Sequence, residues 1–186
     1  DSTAIRNLEI VKTLGDGGKY GSLLWLLDKT NTAMGARMLH SAVMNPMYDK
    51  EAIIYRLDGV DELFDATVVR LGIAELLKEI KDIERIAGKI SGGTVLPRDC
   101  LALARSLSVI PNIKFNLSGF NSKILNDVSN GLFDMGDIVS LIDNAISVTP
   151  PANMKDGGYI KDGYSNQLDE LRSIKKNGKQ VILDIE

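Results

Sequence analysis

Pro97-Arg98-Asp99-Cys100-Leu101-Ala102-Leu103-Ala104-Arg105-Ser106-Leu107 carries the pattern that decides the fold class. Proline suits the first turn of a helix, where its missing N–H would have no partner anyway. Behind it Cys100, Leu101, Ala104 and Leu107 recur at helical spacing and make one apolar face. Outward from this stretch the same period returns. Thr32 is placed to cap a helix carrying Met34, Met38, Leu39 and Val43, with Pro46 ending it. Asp49 reads as a second N-cap, and Ile53, Ile54, Leu57, Val60 and Phe64 keep an i, i+3/i+4, i+7 stripe behind it, the spacing of an amphipathic helix. Val69, Ile73, Leu76, Leu77 and Ile80 share a side, and Ile83, Ile86 and Ile90 continue to Gly92-Gly93. Pro111 closes the Pro97 segment. Gly119, Gly131 and several asparagines break the pattern over 112–134. Helix is expected again from Met135 to Val148, until Thr149-Pro150-Pro151 stops it.

Composition agrees with an all-α reading. In 186 residues the hydrophobic fraction is 44% and the charged fraction 25%, while aromatics are only 5%, so strands rich in aromatic residues are not expected. The apolar run Leu23-Leu24-Trp25-Leu26-Leu27, apolar on nearly every side, is far short of the ~20 residues that cross a bilayer, which excludes a membrane span. A net charge of −3 gives no overall basic footprint for nucleic acid. The lone Cys100 excludes an intramolecular disulfide and a cysteine cage, and a reducing, cytoplasmic setting is expected. Asp1 opens the chain without an initiator methionine or a leader, as in a piece excised from something longer.

From residue 156 the texture changes. Asp156-Gly157-Gly158-Tyr159-Ile160-Lys161-Asp162-Gly163-Tyr164 reads as a small hairpin or bulged strand. Ser165 to Glu186 reads as one long helix of about 33 Å at ~1.5 Å per residue. Its stripe is Leu168, Leu171, Ile174, Val181, Ile182 and Ile185, with Gly178 inside it. The expected organisation is therefore a multi-helix core over 1–155, then a glycine-rich extended or hairpin element and a long C-terminal helix over 156–186.

The usual catalytic constellations are missing, so no catalytic, cofactor or metal residue is assigned. His40 is the only histidine and reads as a surface or boundary residue. Gly15-Asp16-Gly17-Gly18-Lys19-Tyr20-Gly21-Ser22 fails as a phosphate loop, because Tyr20 and Gly21 stand where glycine and lysine are needed. Asp82 and Glu84, two apart on a helix, would diverge by about 200° and not share a substrate. Asp82 is better read as an N-cap with Arg85 as its ion-pair partner, and Cys100 as a core thiol. Lys175, Lys176 and Lys179 are candidate weak phosphate contacts, offset by Asp169, Glu170, Asp184 and Glu186.

Taken together, the residues resemble the core and lever region of the bacterial DNA mismatch-repair ATPase family MutS. The opening Asp1-Ser2-Thr3-Ala4-Ile5-Arg6-Asn7-Leu8-Glu9-Ile10 is similar to the family's D-x-x-T-x-R-N-L-E-I, shifted only in where the threonine falls. Leu26-Leu27-Asp28, then Thr32-Ala33-Met34-Gly35-Ala36-Arg37-Met38-Leu39, fits its L-L-D…T-x-M-G-x-R-x-L signature. Asp82-Ile83-Glu84-Arg85-Ile86, Pro97-Arg98-Asp99, Pro150-Pro151, Gly157-Gly158-Tyr159-Ile160 and Gly163-Tyr164 through Leu168-Asp169-Glu170-Leu171-Arg172 follow in order. Ala42, Met47 and Cys100 depart from the family's usual tryptophan, leucine and leucine.

The resemblance implies a structural role, a scaffold and lever arm linking an ATPase domain to a DNA clamp. Asn7, Leu8, Glu9, Gly35, Arg37, Asp82, Arg85 and Pro97 are then architectural positions. The implied partners are the connector, clamp and ATPase domains of the same parent and, through that parent, mismatched duplex DNA. The parent would be a homodimer using ATP and Mg, while these residues alone would neither hydrolyse ATP nor recognise a mismatch. The competing reading is a generic helical protein–protein adaptor.

Overall fold

The structure, a computed structural model, describes residues 2–183, with side chains described through residue 178. Its described residues form eleven α-helices: α1 (Ser2–Asn7), α2 (Leu23–Leu27), α3 (Ala33–Met44), α4 (Lys50–Asp65), α5 (Thr67–Glu79), α6 (Ile83–Ser91), α7 (Pro97–Ser108), α8 (Ile110–Leu117), α9 (Lys123–Gly131), α10 (Gly136–Ala145) and α11 (Asn166–Leu183). A 3-10 turn at Met154–Asp156 lies between the last two. The chain is all-α. None of the described helices is long and apolar enough to cross a membrane.

Local chemistry sets the helix starts. Thr32 Oγ1 accepts from Gly35 N at 3.0 Å, Asp49 Oδ2 from Ala52 N at 2.8 Å and Asp82 Oδ1 from Arg85 N at 3.2 Å. Each side-chain oxygen thereby satisfies an amide that the helix itself cannot. Pro97 sits at the start of α7 and is buried. The Asp99 carboxylate reaches back to Leu96 N at 3.1 Å, supplying the cap that Leu96 lacks.

Four helices enclose the main core. Ile113 and Leu117 of α8 and Leu125 of α9 are buried, with Leu63 of α4 and Ile73, Leu76 and Leu77 of α5 packed against them. At Gly59 of α4 the helices come close enough that a Cβ would stand 2.4 Å from Ile124 Cγ2 of α9. Glu62, one turn on, accepts from Asn121 N and Ser122 N at 2.8 Å each and so caps α9 from another helix. Tyr55 Oη donates to Asp127 Oδ2 at 2.8 Å across the same pair. A second layer is built on α7, which packs against α6 and α10 and buries Ala104, Ser106 and Leu107.

Several expectations need correcting. The stripe of Ile54, Leu57, Val60 and Phe64 does not face the core: these side chains are exposed, and Gly59, Glu62 and Leu63 form the inward side. Residues 112–134 are mostly helical, in α8 and α9. Asn116 Nδ2 donates to Asn112 O at 2.8 Å and Asn126 Nδ2 to Ser122 O at 3.1 Å, so these asparagines bond back to the preceding turn instead of breaking it. Pro111 lies in the first turn of α8 and opens that helix directly after α7. Of α2, only Leu24 is buried. A helix not expected at all, α1, precedes it.

The glycine-rich segment makes no hairpin of its own. Ile160 pairs antiparallel with Ile146 in a single bridge, closed by Ser147 N to Tyr159 O at 2.9 Å and Lys161 N to Ala145 O at 2.8 Å. Ile146 is consequently extended, and α10 ends at Ala145 short of the expected Val148.

Candidate functional site: the junctions of the scaffold

One junction, held by a bidentate ion pair, joins α3 to the start of α6. Arg37 Nη1 donates to Asp82 Oδ2 at 2.7 Å, and Nη2 donates to Asp82 Oδ1 at 2.8 Å and to Glu84 Oε2 at 2.5 Å. The fork–fork geometry is the strongest arrangement open to an arginine and a carboxylate. It corrects two expectations. Asp82 and Glu84 do converge on one group, because Asp82 is an N-cap with φ −72° and ψ 80°, and helical spacing does not govern it. The ion-pair partner of Asp82 is Arg37, with Arg85 supplying its backbone N–H. The guanidinium holds the Asp82 carboxyl down to about 2, and Asp82 with Glu84 pushes Arg37 upward. Gly35 leaves room for the Thr32 cap, since a Cβ there would meet Thr32 Oγ1 at 2.9 Å.

The second junction seats α2 on the end of α1. Glu9 N donates to Arg6 O at 3.0 Å and Ile10 N to Ile5 O at 3.0 Å, the bonding of a Schellman motif. Glu9 occupies the left-handed position with φ 49°, the only described non-glycine residue with positive φ. Its side chain accepts from Leu14 N at 2.5 Å. Its carbonyl accepts from Leu23 N at 3.1 Å, and that of Ile10 from Leu24 N at 2.8 Å, so two orphan amides of α2 are satisfied by the previous turn. Buried Ser22 donates to Lys19 O at 2.7 Å and accepts from Trp25 N at 3.2 Å. Asn7 ends α1 exposed, and Leu8 is 69% exposed.

Two further pairs brace the ends of neighbouring elements. Lys19 Nζ lies 2.6 Å from Asp28 Oδ2, and with Thr30 it lowers the Asp28 carboxyl to about 2. Lys89 Nζ is 2.9 Å from both Asp99 oxygens, tying α6 to α7 and lowering Asp99. Ser106 is fully buried. Its Oγ donates to Ala102 O at 2.7 Å and accepts from Lys81 N at 2.9 Å, fixing the α5–α6 link to α7.

The base of α11 is gripped by one side chain. Arg172 donates to Ile160 O at 2.9 Å, Asp162 Oδ1 at 2.7 Å and Asp169 Oδ1 at 3.2 Å, and Asp169 Oδ2 accepts from Gly163 N at 2.8 Å. Lys175 lines the groove between this strip and the helix, and Lys176 is exposed. The side chains of Lys179, Val181 and Ile182, and all of Asp184, Ile185 and Glu186, lie outside the described residues.

Groups suited to chemistry are dispersed. His40 is exposed and lines a cleft of about 500 Å³ with Lys12, Lys19 and Arg37. Cys100 is half-buried, and burial followed by the Asp99 charge pushes its thiol up, away from a reactive thiolate. No group of three or more metal-ligating side chains occurs among the described residues. The Gly15–Ser22 loop does not fit a nucleotide phosphate. Asp16 stands inside it, and Asp16 Oδ1 already takes Thr13 Oγ1 at 2.5 Å and Gly18 N at 2.9 Å. The amide that would greet a phosphate is spent on a carboxylate that would repel one.

Sequence reasoning missed Tyr55, Gly59, Glu62 and Ser106, which join helices far apart along the chain. Only Gly59, an isolated glycine inside a helical pattern, carried a local signal.

Comparison with known proteins gives a consistent result over almost the whole chain. The family model described as MutS domain III matches residues 3–185. The chain is 44% identical over 186 residues to the DNA mismatch repair protein MutS of Lachnoclostridium phytofermentans, covering all of this chain and 20% of that protein. It is 42% identical over 186 residues to that of Clostridium perfringens, again all of this chain and 20% of the relative. Against that of Listeria innocua it is 41% identical over 181 residues, 97% of this chain and 21% of the relative. The chain thus spans about one fifth of the length of these relatives.

Proposed function

Since this chain belongs to the MutS domain III family, we propose that it is the core scaffold of a mismatch-repair protein and that α11 is the arm by which the scaffold passes movement onward. In this reading the connector, clamp and ATPase domains lie elsewhere in a longer parent, a homodimer that binds mismatched DNA and uses ATP and Mg. The units 1–155 and 156–186 act as body and arm.

The observation that carries the reading is the use made of the charged side chains. Arg37, Asp82, Glu84, Lys89, Asp99 and Arg172 are engaged in bracing one element against another. A close-packed helical body transmits displacement because its interior yields little. Arg172 fixes the base of α11, while Leu171 beside it and Ile174 beyond it are 64% and 61% exposed. Eighteen residues of α-helix reach about 27 Å at ~1.5 Å per residue.

The test is Gly178→Pro in the full-length protein, with Gly178→Ala as its control. Proline removes an amide donor and kinks a helix interior, whereas alanine stiffens it. The expected outcome is that both variants bind a G·T mismatch but only the alanine variant releases it normally on addition of ATP. Unchanged ATP-dependent release by the proline variant would refute the arm.

A further inference from the structure

A cleft of about 480 Å³ lies between α7 and the segment after α10, lined by Glu79, Lys81, Arg98, Leu101, Ala102, Arg105 and Val148 to Pro150. Arg98, Leu101, Ala102 and Arg105 recur at helical spacing along one face of α7. The two arginines stand two turns apart, about 10.5 Å along the axis. Lys81 faces them from the α5–α6 link, its backbone held in place by Ser106.

None of Lys81, Arg98 and Arg105 has an ion-pair partner among the described residues, and Glu79 is the only acidic side chain in the lining. Arg98 spends only its Nε, on Pro150 O at 3.4 Å, so both Nη groups are available. Three free cations around one hollow, in a chain of net charge −3, contrast with the other junctions, where carboxylates answer the cations. The hollow also has an apolar wall of Leu101, Ala102, Pro150 and Val148, the last 71% exposed.

We infer that this cleft is a docking site for an acidic polypeptide segment that carries aliphatic side chains beside its carboxylates. Arginine forks match carboxylates bidentately, and the aliphatic neighbours cover the wall that a bare anion would leave wet. The lining contains no aromatic ring, so the stacking platform that single-stranded nucleic acid uses is missing. The inference goes beyond the domain III reading and does not need it, since the cleft and its charges belong to this chain alone.

The experiment is fluorescence anisotropy of this chain with a labelled twelve-residue peptide of glutamate and leucine. A glutamine-for-glutamate version, inorganic phosphate and an oligothymidylate serve as competitors. Saturable binding that weakens with salt is expected, at least about tenfold weaker for the glutamine version. Arg98→Gln/Arg105→Gln should lose about tenfold in affinity. Lys29→Gln/Lys155→Gln, with the same charge removed elsewhere, should bind as the parent chain does. Circular dichroism and the thermal midpoint establish that both double variants are folded, and Arg105→Gln alone repeats the test should the pair fail to fold. Equal affinity for the glutamine peptide, full displacement by millimolar phosphate, tighter binding of the oligothymidylate, or unchanged affinity in a folded arginine variant would overturn it. Loss of mismatch release in Gly178→Pro bears only on the arm, so the two ideas fail separately.

Discussion

Replacing Gly59 with alanine sets two opposed effects against each other at the α4–α9 crossing. Alanine is the better helix former by about 1 kcal/mol, and in open space that gain would be kept. Here the new methyl would stand 2.4 Å from Ile124 Cγ2, whereas Leu125 Cγ at 3.6 Å is an ordinary contact. Separating the first pair needs a shift of about 1 Å, and β-branched Ile124 is stiff at χ1 and cannot simply swing aside. Overpacking of this kind costs about 1–3 kcal/mol, so the net expectation is a loss of about 1 kcal/mol. Gly72→Ala in α5 is the internal reference, since a Cβ there meets nothing within 4 Å. It should be stabilising by up to about 1 kcal/mol. Urea unfolding followed by circular dichroism measures both. Ile124→Leu removes the Cγ2 methyl, so combining it with Gly59→Ala should recover at least about 0.5 kcal/mol relative to the sum of the single changes. If Gly59→Ala stabilises as much as Gly72→Ala, or the two changes simply add, the close approach is not what holds glycine there.

Two further outcomes follow from the junctions. The folded chain holds the carboxyls of Asp82 and Asp28 at about 2, against an ordinary carboxylate near ~4 in the unfolded chain. Below about pH 5 the unfolded state therefore binds more protons, so this part of the stability is present near neutrality and fades as pH falls toward 2. Thermal midpoints measured from pH 7 to 2.5 should drop, and Arg37→Gln should both lower the neutral midpoint and flatten the acid decline. At Glu9, glycine relieves roughly 1 kcal/mol of left-handed strain while giving up the bond to Leu14 N, worth about 0.5–1.5 kcal/mol, so Glu9→Gly should be nearly neutral. Glu9→Ala keeps the strain and loses the bond, and urea unfolding should find it about 1 kcal/mol less stable than the glycine variant.

What could be read in advance was the chemistry confined to a few neighbouring residues. Thr32, Asp49 and Asp82 cap their helices, and Pro97 opens its own, because those interactions reach only three residues along the chain. The facing of α4 could not be read the same way. Ile54, Leu57 and Phe64 make a respectable stripe, but α9 approaches on the side of Gly59 and Leu63, and a glycine adds nothing to a hydrophobic pattern. The fork between Arg37 and Asp82 spans 45 residues, and Tyr55 to Asp127 spans 72. Neither leaves a local trace. The resemblance placed Arg37 and Asp82 among the architectural positions without showing that they meet, and it passed over Ser106, whose hydroxyl in an apolar helix face reads as a neutral residue.

The single bridge between Ile146 and Ile160 makes the aim of α11 indifferent to the chain that separates its two halves. Residues 148–158 leave one side of the bridge and return to the other, with Arg172 binding the carbonyl of Ile160. Lengthening such an excursion adds closure entropy only slowly, about 0.6 kcal/mol for each doubling. Insertions there should therefore be tolerated while the arm keeps its direction. Loss of the two amide bonds at the bridge would leave the strip before α11 held to α10, among the described residues, by the Lys161 Nζ bond to the Asp143 carbonyl and by the length of that excursion.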